Sequence, residues 1–96
     1  MARYYLRPAA IKDLESIWKY TLDNWGIVQA DQYIDALTIN FQLLSDNPLI
    51  APERIEFTPS VRIHHHAHHL IVFRLIDVDI EIIRVLHESM ELESKL

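Results

Sequence analysis

The chain has no cysteine and a single glycine among its 96 residues, and each scarcity removes a class of chemistry. Without cysteine there is no disulfide scaffold and no thiolate nucleophile, which fits a reducing, cytoplasmic interior. With Gly26 alone, the glycine-rich loops that cradle phosphates cannot be built. Long apolar runs are missing too: Leu70 to Phe73 and Ile82 to Ile83 are broken by charge, far short of the roughly 20 residues that span a bilayer. No membrane partner is expected. The N-terminal run Met1-Ala2-Arg3-Tyr4-Tyr5-Leu6-Arg7 meets Pro8 before an apolar h-region develops, so no secretory signal is expected. Nor is there a basic block. The formal net charge is -5, with four basic and seven acidic residues up to Glu53, four of each from Arg54 to His87, and one against three in the tail. Because phosphate neutralisation supplies most of a nucleic-acid binder's affinity, binding of nucleic acid by this chain alone is disfavoured.

What is present is a hydrophobic fraction of 50% with four prolines, the composition of one compact domain over residues 1–96. Tyr4, Tyr5 and Leu6 read as a short strand, and Pro8 suits the first turn of a helix, where its missing N–H leaves nothing unpaired. Ile11, Leu14, Ile17, Trp18, Thr21 and Trp25 then form a helical stripe, and Gly26 is its natural C-cap. A second stripe runs through Ala30, Tyr33, Ile34, Leu37, Phe41 and Leu44 and should end at Asn47-Pro48. So short a link makes the helices an antiparallel hairpin, with Trp18, Trp25 and Tyr33 expected mainly in the core.

Pro48, Pro52 and Pro59 punctuate an irregular loop with at most a short extended piece around Ile55 to Phe57. Val61 to His66, His69 to Leu75 and Ile80 to Leu86 are β-branched and aromatic, with a tight turn at Asp77-Val78-Asp79. The last of these is too continuously apolar for a strand with one wet face, which predicts a central or doubly covered position. The fold class is therefore α+β: an N-terminal strand, a helical hairpin, then a three-stranded antiparallel meander, in the order β-αα-βββ.

The conspicuous local feature is His64-His65-His66-Ala67-His68-His69. Strand alternation would set His64, His66 and His68 on one face with Arg62, and His65 and His69 on the other. A structural zinc site needs about four convergent ligands and a catalytic one three with supporting partners, and no second ligand cluster completes either. No metal and no cofactor is expected. Ser16, Ser45, Ser60, Ser89 and Ser94 lack a nucleophile-elbow context. Arg62, Arg84, His69 and His87 could converge on the sheet for acid–base work or to grip an acidic partner. Alternatively, Arg62 and Arg84 pair with Glu56, Glu81 or Glu88 on a solvated face.

These residues carry a resemblance. Tyr5-Leu6-x-Pro8-Ala9-Ala10-x-x-Asp13-Leu14-x-x-Ile17-Trp18-x-Tyr20-Thr21, Trp25-Gly26-x-x-Gln29-Ala30-x-x-Tyr33, Asn47-Pro48, Arg62, His69-Leu70-Ile71-Val72-Phe73-Arg74 and Ile80-Glu81-Ile82-Ile83-Arg84-Val85-Leu86-His87-x-x-Met90 together resemble the ParE branch of the RelE/ParE toxin superfamily over nearly the whole chain. The pattern departs at Arg7, Ala51, Ser60 and Glu91. The resemblance implies a helical hairpin on a small antiparallel sheet, inhibition of DNA gyrase without catalysis, and a cognate antitoxin in a hetero-oligomeric complex. An antitoxin segment would fill an apolar groove between hairpin and sheet, with Arg62, His69, Arg74, Arg84 and His87 as the partner-binding set. The alternatives are a ribosome-dependent mRNA endonuclease of the RelE branch, for which the acidic, non-aromatic tail is ill suited, and an antitoxin-binding family member without gyrase activity.

Overall fold

The structure, a computed structural model, describes residues 2–96; Met1, part of the domain and of the N-terminal reading above, lies outside the described residues. The order is β1 (Tyr4–Leu6), α1 (Pro8–Trp25), α2 (Ile27–Asp46), a 3-10 turn (Pro48–Ile50), β2 (Glu53–Arg54), β3 (Val61–His66), β4 (His69–Ile76), β5 (Asp79–His87) and a last short helix, α3 (Leu92–Lys95). The α+β class stands, with more sheet than expected. The strands lie in the order β1-β5-β4-β3-β2, antiparallel except where β1 runs parallel to β5 with Tyr4 opposite Ile80 and Leu6 opposite Ile82. The extended piece in the proline loop is Glu53–Arg54, paired with Arg62 and Val61, and not Ile55 to Phe57.

Pro8 opens α1, and Gly26 both ends it and starts α2: its amide donates to the Leu22 carbonyl at 3.0 Å, and its own carbonyl accepts from Ala30 at 3.1 Å. Its φ of 91 and ψ of 171 lie in a region that only glycine occupies without strain. Gly26→Ala should cost about 1–3 kcal/mol through backbone strain alone, since open space surrounds the added methyl; a urea denaturation midpoint equal to wild type would contradict this.

The α2 stripe behaves as read: Ala30, Leu37, Phe41 and Leu44 are buried, with Tyr33 and Ile34 packed beside them against Ile71, Phe73, Ile80, Ile82 and Val85 of the sheet. The opposite sheet face carries a second cluster of Val61, Val72, Ile83 and Leu86, covered by Phe57, Ile63 and Leu92. This two-sided cover is why β5 buries Ile80, Ile82, Ile83, Val85 and Leu86, residues that lie on both of its faces. A bulge serves both layers: Phe73 pairs with Ile82 and Val72 with Arg84, so Ile83 is an extra residue in β5.

In α1 the expectation fails for the large aromatics. Ala10, Ile17 and Thr21 are the buried residues, Trp25 is 67% exposed, and Trp18 is half-buried outside the core, its indole N–H donating to Asp31 Oδ1 at 2.9 Å. The stripe identified a helix, but its aromatic end overhangs the sheet instead of entering the core.

Candidate functional site

Where α1 and α2 overhang the His69–His87 end of the sheet, they leave a cleft of about 530 Å³. Its walls are Ile17, Tyr20 and Trp25 from α1, Tyr33 from α2, His69 and His87 from β4 and β5, and Met90 beyond β5. The lining is mostly apolar with imidazoles and amides at one side, the usual composition of a recognition cleft. Tyr20 and Trp25, each 67% exposed, stand at it uncovered.

His69 is the polar centre. It pairs with His87 across the β4–β5 ladder, and the two rings meet edge-on at 5.4 Å between centroids. Tyr33 Oη is hydrogen-bonded to His69 Nδ1. Burial holds the His69 imidazole down to about 4, helped by His87, His68 and His66 and opposed by Glu88, so the ring is neutral near pH 7 and Nδ1 accepts from the phenol. Burial likewise raises the Tyr33 phenol, against the effect of the His68 backbone and with that of Glu88. His87 Nδ1 accepts from the Ser89 amide at 3.1 Å and lies 2.7 Å from Ser89 Oγ.

The three arginines do not join this pair. Arg62 lies on the helix-facing side of β3 and donates from Nη1 to the Ala51 carbonyl at 2.7 Å. Arg74 sits on the opposite side, where Nε meets Glu81 Oε1 at 2.9 Å and Arg7 Nη2 meets the same oxygen at 3.0 Å. Burial alone would raise the Glu81 carboxyl, but hydrogen bonds from Arg7 and Arg74 outweigh it and hold it below the ordinary range. Arg84 is not the exposed contact expected of it. Its Nε and Nη2 both donate to Asp13 at 2.8 Å, the Asp13 Oδ2 that receives Nε also accepts from the Val85 amide at 2.9 Å, and the hydrogen bond to Asp13 raises the guanidinium's pKa. Glu81 therefore partners Arg74, while neither Glu56 nor Glu88 partners Arg62 or Arg84. Of the five residues read as partner-binding, the cleft unites two, His69 and His87.

The histidine run is also distributed differently. Ala67, at φ 52, turns the chain, so His68 swings to the side of His65. His65 and His68 both approach Glu88, at 3.4 and 2.8 Å, and the bond to His68 lowers that carboxyl. His64, His66 and His69 face α2, so His69 stands opposite His66 and not on the His65 side as alternation predicts. Among the described residues, no three His, Asp or Glu side chains form a group able to hold a metal ion, and no helix is long and apolar enough to cross a membrane. Sequence reasoning missed Asn40 and Glu88 as partners of the histidines, Asp13 as the partner of Arg84, and Tyr20 and Met90 as cleft walls. Tyr33 was visible in the α2 stripe but not its bond to His69.

A family model described as the ParE toxin of the type II toxin-antitoxin system, parDE, matches residues 4–92. The chain is 35% identical to Toxin ParE1 of Mycobacterium tuberculosis over 96 residues, covering 99% of this chain and 98% of that one. It is 31% identical to Toxin ParE1 of Caulobacter vibrioides over 96 residues, covering 100% and 99%. Among solved structures, a chain of the chromosomal ParDE TA system from P. aeruginosa superposes with a TM-score of 0.75 at 19% identity, over 91% of this chain and 96% of that one.

Proposed function

The chain belongs to the ParE toxin family of type II toxin-antitoxin systems, and from that premise we propose that it acts by occupying surfaces on other proteins and not by catalysis. In this reading a cognate antitoxin lays a segment into the cleft between the helical hairpin and the His69–His87 end of the sheet, and the free toxin inhibits DNA gyrase in the cytoplasm.

The observation that carries it is the cleft itself: an apolar trough with Tyr20 and Trp25 left wet at its walls. Exposed aromatics around a concave apolar surface are the residue types that dominate binding energy when a partner covers them. A segment that orders on binding gains a large wrapped surface in exchange for its entropy. The P. aeruginosa structure bears the name of a ParDE system, in keeping with an antitoxin partner. Gyrase as the target follows from the family resemblance. The non-catalytic reading is supported by the spent cations: Arg62, Arg74 and Arg84 are each tied to a carbonyl or carboxylate of the chain itself, leaving none aimed into the cleft to steady a phosphate.

Trp25→Ala should leave the fold nearly unchanged and weaken antitoxin binding about tenfold to a hundredfold, the range for an aromatic anchor; isothermal titration returning the wild-type Kd would remove Trp25 from the interface. A supercoiling assay with purified gyrase tests the target. Inhibition by the free chain, relieved by antitoxin, is expected. No inhibition at large molar excess would leave an antitoxin-binding protein without gyrase activity, and mRNA cleavage on programmed ribosomes would move the chain to the nuclease branch.

A further inference from the structure

All six histidines of the chain lie in one patch at one end of the sheet, and none of this arrangement is used by the reading above beyond the place of His68, His69 and His87 on the cleft wall. The patch has an inner and an outer row. In the inner row His64, His66 and His69 form the polar seam between α2 and the β3–β4 hairpin. Asn40 of α2 serves two of them: its Nδ2 donates to the Ala36 carbonyl at 2.9 Å, which fixes the amide's orientation. The same Nδ2 lies 3.1 Å from His66 Nδ1, and Oδ1 lies 3.2 Å from His64 Nε2. His66 Nδ1 must then accept, and His64 Nε2 must donate. Two turns of α2 earlier, Tyr33 holds His69 Nδ1.

At His66 and His69 this wiring uses Nδ1 as an acceptor, whereas the His64 Nε2 donor is the same with or without a second proton on its ring. A proton on His66 Nδ1 would face the Asn40 N–H, donor against donor. A proton on His69 Nδ1 would displace the phenol's own hydrogen from its acceptor. His64 and His69 are both held below the ordinary imidazole range by burial and by neighbouring histidines. The other titratable and charged groups facing the seam are Tyr33 from α2, Tyr20 from α1 at the far wall of the cleft, Arg62 from β3, which is turned to the Ala51 carbonyl, His87 from β5, and Glu88 from the segment after it. Glu88 is engaged by the outer row, His65 and His68, whose contacts become charge-assisted on protonation. The inner row has no such carboxylate.

We propose that the inner histidine row is a proton-operated latch: mild acidification puts a proton on an Nδ1 that the seam uses as an acceptor, loosening α2 from the β3–β4 hairpin and changing the shape of the cleft that Tyr33 and His69 line. This rests on the reading of the cleft as a partner site only for its consequence, that a cleft occupant is gripped differently in acid and in neutral solution.

The sign follows from linkage. Unfolded imidazoles take up protons below about pH 6.5, whereas His69 in the fold waits until about 4. Folding stability is therefore full above about pH 6.5 and declines as pH falls towards about 4. Discounting for the half-exposed ring, the folding constant of the free chain should fall about tenfold between pH 7.5 and pH 5. Urea titrations at both pH values read this in wild type, in the inner triple variant His64→Gln/His66→Gln/His69→Gln, and in the outer double variant His65→Gln/His68→Gln. Wild type and the outer variant should lose stability in acid, and the inner variant should be flat within about twofold. A flat wild type, or an inner variant with the full slope, overturns the latch. Should the triple variant not fold, imidazole proton NMR of wild type decides: His69 titrating well below 6.5, with the Met90 methyl in the cleft shifting at the same midpoint, supports it. His69 titrating at or above 6.5, or an unmoved Met90, overturns it. Both readouts use the chain alone, so they stand or fall independently of any antitoxin or gyrase result.

Discussion

Replacing Phe41 by alanine is expected to cost about 3–5 kcal/mol, the range for deleting a fully enclosed ring, and to lower the melting temperature by well over about 10 °C for a domain of this size. The ring is 1% exposed and packs at 5.5 Å from the Tyr4 ring, so it joins α2 to β1 as well as to the main core. The cavity would sit between elements that cannot close it independently: α2 is tied to α1 through the single residue Gly26, and β1 is tied to β5 through three paired positions. Phe41→Leu, which keeps much of the volume, should recover more than half of the loss. Thermal denaturation by circular dichroism decides, and a Phe41→Ala variant melting within about 3 °C of wild type would mean that the helix layer does not depend on this ring.

The second large effect is expected at Asp13. Its carboxylate takes two guanidinium N–H bonds from Arg84 and one amide bond from Val85, with side chains only 13% and 25% exposed. Asp13→Ala strands a half-buried cation and a β5 amide at once. Breaking a buried pair by removing one partner costs about 3–5 kcal/mol; with part of Arg84 in water, about 2–4 kcal/mol is expected here. The double variant Asp13→Ala/Arg84→Leu should recover a good part of this by abolishing the unpaired charge, and a urea-derived double-mutant cycle measures the coupling. Coupling near zero would show the pair to be decorative.

The reach of sequence reasoning can be followed residue by residue. Periodicity found α2 because its apolar positions all meet one surface. It found β3 to the residue and missed the ends of β4 and β5 by one, because β-branched runs between turn residues leave few alternatives. It could not place Trp18 and Trp25: a helix that roofs a cleft exposes apolar side chains at the same spacing as one that covers a core, and period alone cannot separate the two. Glu53–Arg54 and Pro48–Ile50 are too short to carry a period. The parallel pairing of β1 with β5 and the Asp13–Arg84 pair join positions more than seventy residues apart, for which a single sequence offers no signal. His69 was assigned to the face of His65 because alternation was carried through Ala67, where a turn at positive φ reverses the chain and sets His69 opposite His66. The family resemblance agreed with the hairpin and sheet that periodicity gave, and added the expectation of an antitoxin segment in the groove between them.

The extra residue in β5 has a consequence for the cleft. Ile82 and Val85 both point towards the helices, although they are three positions apart, because Ile83 and Arg84 together oppose Val72. With Ile83 kept but paired directly opposite Val72, so that the bulge is lost, strict alternation would send every later side chain to the reverse surface. Leu86 would then be driven under the hairpin and His87 out of the trough. What meets a guest peptide there is thus set by one uneven step in a buried ladder, and ironing that step out would rewrite the mouth of the trough wholesale.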